Sequence, residues 1–114
     1  EMHPQLRQEE LRDYCADADI ELVAYSPLAR GGVFDMPTIS EIADKHDASE
    51  PQVSLAWLRE KGVTAIPKAT SEGHIRDNWE SLDLELDEAD IEAIDAIETT
   101  ERCVNPDFGP DSWA

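Results

Sequence analysis

Two short apolar segments, with helix-like patterns around them, constrain what this chain can fold into. Residues 20–25 and 63–68 are short and rich in apolar side chains, which predicts strands. Segments with helical periodicity precede, separate and follow these two strands. The order of helix, strand, helices, strand and helices is typical of βα units, whose strands run parallel. The sequence therefore predicts an α/β fold built on a parallel sheet.

Capping patterns predict where the helices begin and end. Residues 38–41 have the T-x-x-E form of a capping box and residues 49–52 have the S-x-x-Q form, so each predicts a helix start. Gly62 predicts the end of the second of these helices, because glycine tolerates the left-handed backbone that follows a helix. Ser71 and Asp87 are predicted to be the N-caps of two further helices.

Apolar side chains at helical spacing predict one face for each of three helices. The predicted face residues are Leu11, Tyr14, Cys15 and Ala18 in the first helix, Val53, Ala56 and Trp57 in a middle one, and Ile91, Ile94 and Ile97 in the last. The segment from Thr99 onward holds Pro106, Gly109 and Pro110, and it is predicted to be an extended loop.

The chain is short for a complete fold built on a parallel sheet. Two strands alone leave unpaired sheet edges, and a (β/α)₈ barrel needs about 250 residues. The chain has 114 residues and begins at Glu1 rather than at a methionine. We therefore expect the sheet to be incomplete as given, with an N-terminal segment missing or a second chain, such as another copy, supplying the remaining strands.

The charge balance excludes some partners. The chain has 27 acidic and 9 basic residues, a formal net charge of −18. Nucleic acids and anionic membrane surfaces recruit basic patches, so neither is expected as a partner. The acidic surplus also resembles the proteins of salt-loving organisms, in which concentrated salt screens self-repulsion. A halophilic origin is therefore a hypothesis.

The two cysteines and the hydropathy pattern predict the cellular compartment of the protein. Cys15 and Cys103 lie far apart and match no metal-ligand spacing, so we expect free thiols in a reducing compartment and no metal site. No signal peptide and no long apolar span is visible in the sequence. We therefore expect a cytoplasmic protein.

One lysine stands where the second apolar segment ends. Lys68 is one of only three lysines, and it precedes the helix predicted to start after Ser71. In parallel α/β folds, ligands bind at the carboxyl ends of strands, often through phosphate groups. Position and scarcity alone leave two alternatives open: Lys68 meets an anion, or it extends from the strand end into solvent.

Several short motifs follow one another in an order that resembles a known family. They are E-x-H-P at residues 1–4, AYSPL at 24–28, QVSLAWL at 52–58, Ile66-Pro67-Lys68 followed by Ile75 and Asn78, and LDLEL at 82–86. Together these motifs resemble the C-terminal part of an aldo-keto reductase, and the resemblance covers nearly the whole of residues 1–114. The tail at residues 101–106, with Trp113 beyond it, is similar to the 2,5-diketo-gluconate reductase group of that family.

The resemblance implies a (β/α)₈ TIM barrel that reduces small aldehydes and ketones with NADPH and without a metal. This chain would supply the last two strands with their helices. Tyr25 matches the tyrosine that stacks on the nicotinamide ring; alternatively it is a core aromatic at a strand end. Ser26, Leu28 and Arg30 match the loop over the pyrophosphate, although Arg30 is equally compatible with a solvated loop position.

The same resemblance implies a site for the adenosine half of the cofactor. Lys68 matches the lysine that pairs with the 2′-phosphate, and the N-terminus of the helix capped by Ser71 would add N–H groups. Thr70 would add a hydroxyl. Asp77 and Asn78 match positions that hydrogen-bond the adenine edge, where the family more often has Glu before the Asn. The alternative for both is an ordinary polar residue on a helix surface.

Two positions depart from the family pattern, and both concern the cofactor. Ala69 stands where the family often has serine, so one phosphate donor is lost. His74 stands where the family usually has arginine, and histidine is largely neutral near pH 7. The preference for NADPH over NADH is therefore open, and use of both is an alternative.

No catalytic residue is assigned within this chain. The family's proton-donating tyrosine and the lysine, aspartate and histidine that assist it would all precede Glu1. His3 belongs to the E-x-H-P motif, and we expect a structural role for it. Three interpretations remain: the cofactor-binding part of a carbonyl reductase, an inactive remnant or nucleotide-binding and interaction module, or a structural domain without a ligand. Substrate-facing tail residues Val104, Phe108 and Trp113 either wall an apolar pocket or cover the barrel.

Overall fold

The computed structural model describes residues 1–113, and its elements follow the predicted order. The helices are α1 (Glu9–Asp17), α2 (Pro37–His46), α3 (Glu50–Glu60), α4 (Glu72–Glu80) and α5 (Glu88–Asp95), the strands are β1 (Val23–Ala24) and β2 (Thr64–Ala65), and short 3₁₀ segments cover Ala29–Asp35 and Ser81–Asp83. The predicted alternation of strands and helices is therefore confirmed for the described part of the chain.

Strands β1 and β2 are parallel neighbours. Val23 pairs with Thr64 and Ala24 with Ala65, and the N–H of Ile66 donates to the carbonyl of Ala24 at 3.1 Å. The predicted strands over residues 20–25 and 63–68 were too long, because only two residues of each lie in this two-stranded ladder. Parallel pairing places the carboxyl ends of both strands at one edge of the sheet, which we call the strand-end edge.

Side-chain caps decide most of the helix starts. Ser49 and Gln52 form the predicted capping box at the start of α3, and Ser71 and Asp87 cap α4 and α5 as predicted. The predicted box at residues 38–41 was wrong: α2 begins at Pro37, and its N-cap makes no side-chain hydrogen bond. Proline explains the earlier start, because its ring presets a helical φ at the first helical position.

The core lies where α2, α3 and α5 pack together. Trp57 of α3 is fully buried, and its indole N–H donates to Oδ1 of Asp95 at 3.0 Å. Buried tryptophan contributes a large apolar area, and this hydrogen bond satisfies its one polar atom. Other buried core residues include Met36, Ile39, Ile42, Val53, Leu58 and Ile94. The inward face predicted for α3 is confirmed. In the face predicted for the last helix, Ile94 is buried and Ile91 and Ile97 are partly buried against the core, but Ile97 lies beyond the end of α5.

An ion-pair network joins α5 to the end of α2. Asp90 is buried, and its carboxylate lies 2.9 Å from Nζ of Lys45 and 2.6 Å from Nε2 of His46. Burial raises the pKa of Asp90, but hydrogen bonds from Lys45, His46 and the N–H of Asp87 outweigh it and lower that pKa to about 2. The buried carboxylate is therefore ionised and paired at neutral pH.

Apolar side chains remain exposed on α1 and near β2. The predicted apolar face of α1 is only partly buried: Cys15 is 7% exposed, whereas Tyr14 is 66% exposed. Between α3, β2 and α4 lies a cleft of about 560 Å³, with Ile75 and Trp79 among its lining residues. No helix within residues 1–113 is both long and apolar enough to cross a membrane.

Candidate functional site

The predicted cofactor segments leave the sheet at the strand-end edge. Tyr25 follows β1 directly, and Lys68 follows β2 by three residues. Because the strands are parallel, the loop after β1 and the segment after β2 leave the same edge. Tyr25 is 38% exposed, and Arg30 and Lys68 are both exposed. The two segments that leave this edge therefore carry one exposed aromatic side chain and two exposed cations.

The loop after β1 adopts a conformation that side chains rarely take. Ser26, Ala29 and Arg30 have φ values of 48°, 52° and 53°. Each left-handed residue other than glycine costs about 1–2 kcal/mol, so three in one loop need compensation from their surroundings. Part of it comes from Ser54, whose buried hydroxyl donates to the carbonyl of Pro27 at 2.7 Å. Clusters of such residues are typical of ligand-binding loops.

The remaining loop residues differ in exposure. Leu28 is half-buried and packs against the core, so its side chain anchors the loop. Ser26 is half-buried. Leu28 therefore ties the loop to the core, while Arg30 stays accessible.

Lys68 lies beside the start of α4. The hydroxyl of Ser71 accepts a 3.2 Å hydrogen bond from the N–H of His74. The first N–H groups of a helix have no partner within the helix and attract anions. For the part of the chain described, Lys68 belongs to none of the ion pairs, and Thr70 beside it is exposed.

Helix α4 carries the other predicted cofactor residues, but they face different directions. Ala69, just before the helix, and Asn78 both line the cleft between α3, β2 and α4. His74 is exposed. Asp77 instead faces α3, where its Oδ2 accepts a 2.6 Å hydrogen bond from Oγ of Ser49. The roles of all these residues in binding a cofactor stay predictions.

A buried carboxylate, which no sequence pattern predicted, holds the tail against this edge. Oε1 of Glu1 lies 2.8 Å from Nε2 of His3 and accepts from the N–H of Cys103 at 2.6 Å, and Oε2 accepts from the N–H of Val104 at 2.7 Å. The Cys103 thiol in turn donates to the carbonyl of Ala29 at 3.5 Å. The tail is therefore fastened to Glu1, 102 and 103 residues away in sequence, and to the strained loop through Ala29, 74 residues away.

Burial and hydrogen bonding determine the charges of Glu1, His3 and Cys103. Burial raises the pKa of Glu1, but the N–H of Cys103, the ring of His3 and the N–H of Val104 together lower it. Burial lowers the pKa of His3 and outweighs its hydrogen bond to Glu1. Burial, together with the charge of Glu1, raises the pKa of the Cys103 thiol. Glu1 is therefore charged and both partners are neutral at pH 7.

Among residues 1–113, two groups of side chains are compact enough to be considered as metal ligands: Glu1, His3 and Cys103, and His46, Asp87 and Asp90. In the second group the ammonium of Lys45 already bonds both carboxylates. In the first, His3 bonds Glu1 through Nε2, and its Nδ1 accepts from the N–H of Gln5 at 3.3 Å. Both are satisfied by protein groups, as in hydrogen-bonded clusters that need no cation.

A sequence profile described as the aldo/keto reductase family matches residues 33–99, which is more than half of the chain. The chain therefore belongs to the aldo/keto reductase family. The glyoxal reductase of Bacillus subtilis (strain 168) is 44% identical to it over 108 residues, covering 94% of this chain and 39% of that protein. The chain spans about two fifths of the length of the curated relatives it matches.

Solved structures agree with this membership. An aldo-keto reductase, MGS-M4, from a Medee basin deep-sea metagenome library has a TM-score of 0.87 and 33% identity, covering 99% of this chain and 43% of its own. A mutant of Gox0644 in complex with NADPH has a TM-score of 0.80 and 30% identity, covering 83% of this chain and 35% of its own. The predicted fold class, α/β and part of a (β/α)₈ barrel with an incomplete sheet, is confirmed. The closer likeness of the tail to the 2,5-diketo-gluconate reductase group stays a prediction.

Proposed function

We propose that this chain is the cofactor-binding part of an NADPH-dependent reductase of small aldehydes and ketones. The observation that carries the proposal is the parallel pairing of β1 and β2, which brings the strained loop and Lys68 to one edge. A solved relative bound to NADPH supports the choice of cofactor. A cytoplasmic location is part of the same proposal, supported by the free thiols Cys15 and Cys103.

The groups at the strand-end edge fit a phosphorylated cofactor. The exposed ammonium of Lys68 and the first N–H groups of α4 would hold the 2′-phosphate, with the hydroxyl of Thr70 nearby. Glu72 brings a negative charge to the same helix end, but its carboxylate pairs with Arg76 at 3.0 Å. That pairing reduces the repulsion between Glu72 and a bound phosphate.

Residues of the loop after β1 would hold the other half of the cofactor. The face of Tyr25 would stack on the nicotinamide ring and fix which side of the ring is presented to the substrate. Arg30 would pair with pyrophosphate oxygens, for which guanidinium geometry is well suited. When bound, NADPH supplies a hydride to the carbonyl carbon of the substrate.

The choice between NADPH and NADH depends on the two departures already noted. Ala69 offers no hydroxyl, and His74 at the exposed first turn of α4 has an imidazole in place of the guanidinium that the family usually has there. Lys68 is then the main side chain that distinguishes the two cofactors. We propose NADPH as the preferred cofactor, with measurable binding of NADH.

Binding and turnover are tested separately on the full chain. We expect titration with NADPH to change the fluorescence of the reduced nicotinamide, and glyoxal, named for one relative, is the first substrate to assay. NADPH oxidation that depends on glyoxal would support a reductase. Because the family's catalytic residues would precede Glu1, binding without turnover is expected both of the cofactor-binding part and of an inactive remnant or nucleotide-binding module. Absence of binding would contradict the proposed site.

A further inference from the structure

A polar cluster joins α4 to the first turn of α3. Oδ2 of Asp77 accepts a 2.6 Å hydrogen bond from Oγ of Ser49, and the backbone carbonyl of Asp77 accepts a 2.9 Å bond from Nε2 of Gln52. Ser49 is the N-cap of α3 and Gln52 its third residue. We call these three residues the Ser49–Gln52–Asp77 cluster.

Each hydrogen bond in the cluster fixes the direction of another. Oγ of Ser49 accepts from the N–H of Gln52 at 3.3 Å, so its hydrogen is directed to Asp77. Oε1 of Gln52 accepts from the N–H of Ser49 at 3.1 Å, so its Nε2 is directed to α4. If the Asp77 carboxylate turned toward a ligand, the hydroxyl of Ser49 would lose its acceptor. The cluster therefore holds Asp77 against α3.

The rest of α4 has little apolar packing to hold it. None of its residues is buried, and Ile75 and Trp79 are 54% and 72% exposed. Helices in proteins owe most of their stability to a buried apolar face. The Ser49–Gln52–Asp77 cluster therefore supplies polar contacts that hold α4 where a buried apolar face is absent.

We propose that Asp77 is a positioning residue that holds α4 through Ser49 and Gln52, and that it does not contact the adenine ring. Its effect on the cofactor is indirect: it keeps the N-terminus of α4 beside Lys68 and keeps Asn78 on the cleft side of the helix. This inference rests on the proposed function, because it assumes that the chain binds NADPH.

The test compares two cofactors in titrations of the full chain. The first is NADPH, and the second is its hypoxanthine analogue, in which an oxygen replaces the 6-amino group of adenine. We expect Asp77→Ala and Ser49→Ala each to weaken binding of both cofactors equally, by about tenfold, the value of one hydrogen bond to a charged group. The double variant should bind as Ser49→Ala alone does, because both substitutions remove the Ser49–Asp77 bond, and Ser49→Ala also removes the acceptor for the N–H of Gln52.

Two controls accompany these variants. Ser49→Thr keeps a hydroxyl at the N-cap and should restore binding, and Glu80→Ala removes an exposed carboxylate from the same helix and should bind as the unsubstituted chain does. A loss in Asp77→Ala that is confined to NADPH, with Ser49→Ala unaffected, would reveal a direct adenine contact and overturn the proposal. Unchanged binding in Asp77→Ala would overturn it as well.

Hydrogen exchange separates this inference from the proposed function. If the unsubstituted chain binds no NADPH, the proposed function fails, and the placement of α4 is then decided by the exchange rates of its amides. Faster exchange across Glu72–Glu80 in both Ser49→Ala and Asp77→Ala supports the positioning role. Exchange at the unsubstituted rate in either variant contradicts it.

Discussion

At the residue scale, burial and partners separate side chains that look alike in the sequence. Asp77 and Asp90 both lie on helices, yet one meets a hydroxyl on α3 and the other a lysine and a histidine on α2. Lys45 and Lys68 are both exposed lysines, but only Lys45 has carboxylate partners among residues 1–113. The difference marks Lys68 as the lysine available to an external anion.

Replacing Lys68 tests the 2′-phosphate contact. In Lys68→Met we expect NADPH to bind about fivefold to tenfold more weakly and NADH to be nearly unaffected, since only NADPH carries the phosphate. Lys68→Arg keeps the charge and should retain most of the affinity. Titration of the unsubstituted chain and of Lys68→Met with both cofactors gives four dissociation constants. An equal loss of affinity for NADPH and NADH would refute the phosphate role.

Replacing Glu1 tests the attachment of the tail. In Glu1→Gln one carboxylate oxygen is replaced by an NH₂ group, which cannot accept a hydrogen bond, so the bond from the N–H of either Cys103 or Val104 is lost. We expect the Cys103 thiol to become more accessible and its pKa to fall, because the charge of Glu1 raises that pKa. Alkylation of Cys103 by iodoacetamide should therefore be faster.

The buried thiol of Cys15 on α1 is the internal reference for this measurement. Glu10→Gln, at an exposed position of the same helix, is the matched control and should leave the alkylation of Cys103 unchanged. An unchanged rate in Glu1→Gln would show that the carboxylate does not hold the tail.

At the element scale, helix ends and polar contacts between helices organise the molecule. Capping boxes start α3 and α5, and each cap also bonds a neighbouring helix. Ser49 reaches α4, and Asp87 bonds Lys45 of α2 at 2.6 Å. A cap that is local in sequence thus takes part in tertiary packing.

The attachment of α5 to α2 predicts acid sensitivity. The pKa of Asp90 is about 2 in the fold against an ordinary value of 3.8, so its contribution is fully present above pH 3.8 and is lost as the pH falls toward 2. That shift corresponds to about 2 kcal/mol of unfolding free energy. Asp90→Asn should lose about this amount at pH 7 in urea unfolding.

The pH dependence identifies the cause of that loss. The difference between Asp90→Asn and the unsubstituted chain should shrink between pH 4 and pH 2, where Asp90 itself becomes protonated. Glu92→Gln, at an exposed position on α5, should change little. A difference that persists unchanged to pH 2 would assign the loss to packing rather than to charge.

At the scale of the whole molecule, charge and exposed apolar surface dominate. A net charge of −18 on 114 residues produces self-repulsion that opposes the compact state. Apolar side chains of α1 and of the cleft beside β2 remain open to solvent in this chain. Both features make the free energy of unfolding depend on the salt and solutes in the solvent.

Salt should therefore raise the melting temperature. The Debye length falls from about 10 Å at 0.1 M to about 3 Å at 1 M salt, which screens most repulsion between surface carboxylates. We expect a higher Tm in 1 M KCl than in 0.1 M KCl. Sucrose at matched osmolarity controls for general solute exclusion, and a Tm independent of salt would count against the halophilic hypothesis.

The sequence alone determined the features that depend on neighbours along the chain. The S-x-x-Q pattern at residues 49–52 and the N-caps Ser71 and Asp87 were predictable because capping bonds close within three residues. The motif order predicted the family, which the match over residues 33–99 confirms. The alternation of elements likewise predicted the parallel arrangement.

Features that depend on partners distant in sequence emerged only from the three-dimensional packing. The strands predicted at residues 20–25 and 63–68 were too long, because a strand extends only as far as the adjacent strand with which it pairs. The direction of Asp77, the burial of Glu1 and the contact of Cys103 with Ala29 were not predictable, because each requires segments far apart in sequence to come together. Local propensity says where an element begins, whereas packing decides which side chains remain available to a ligand.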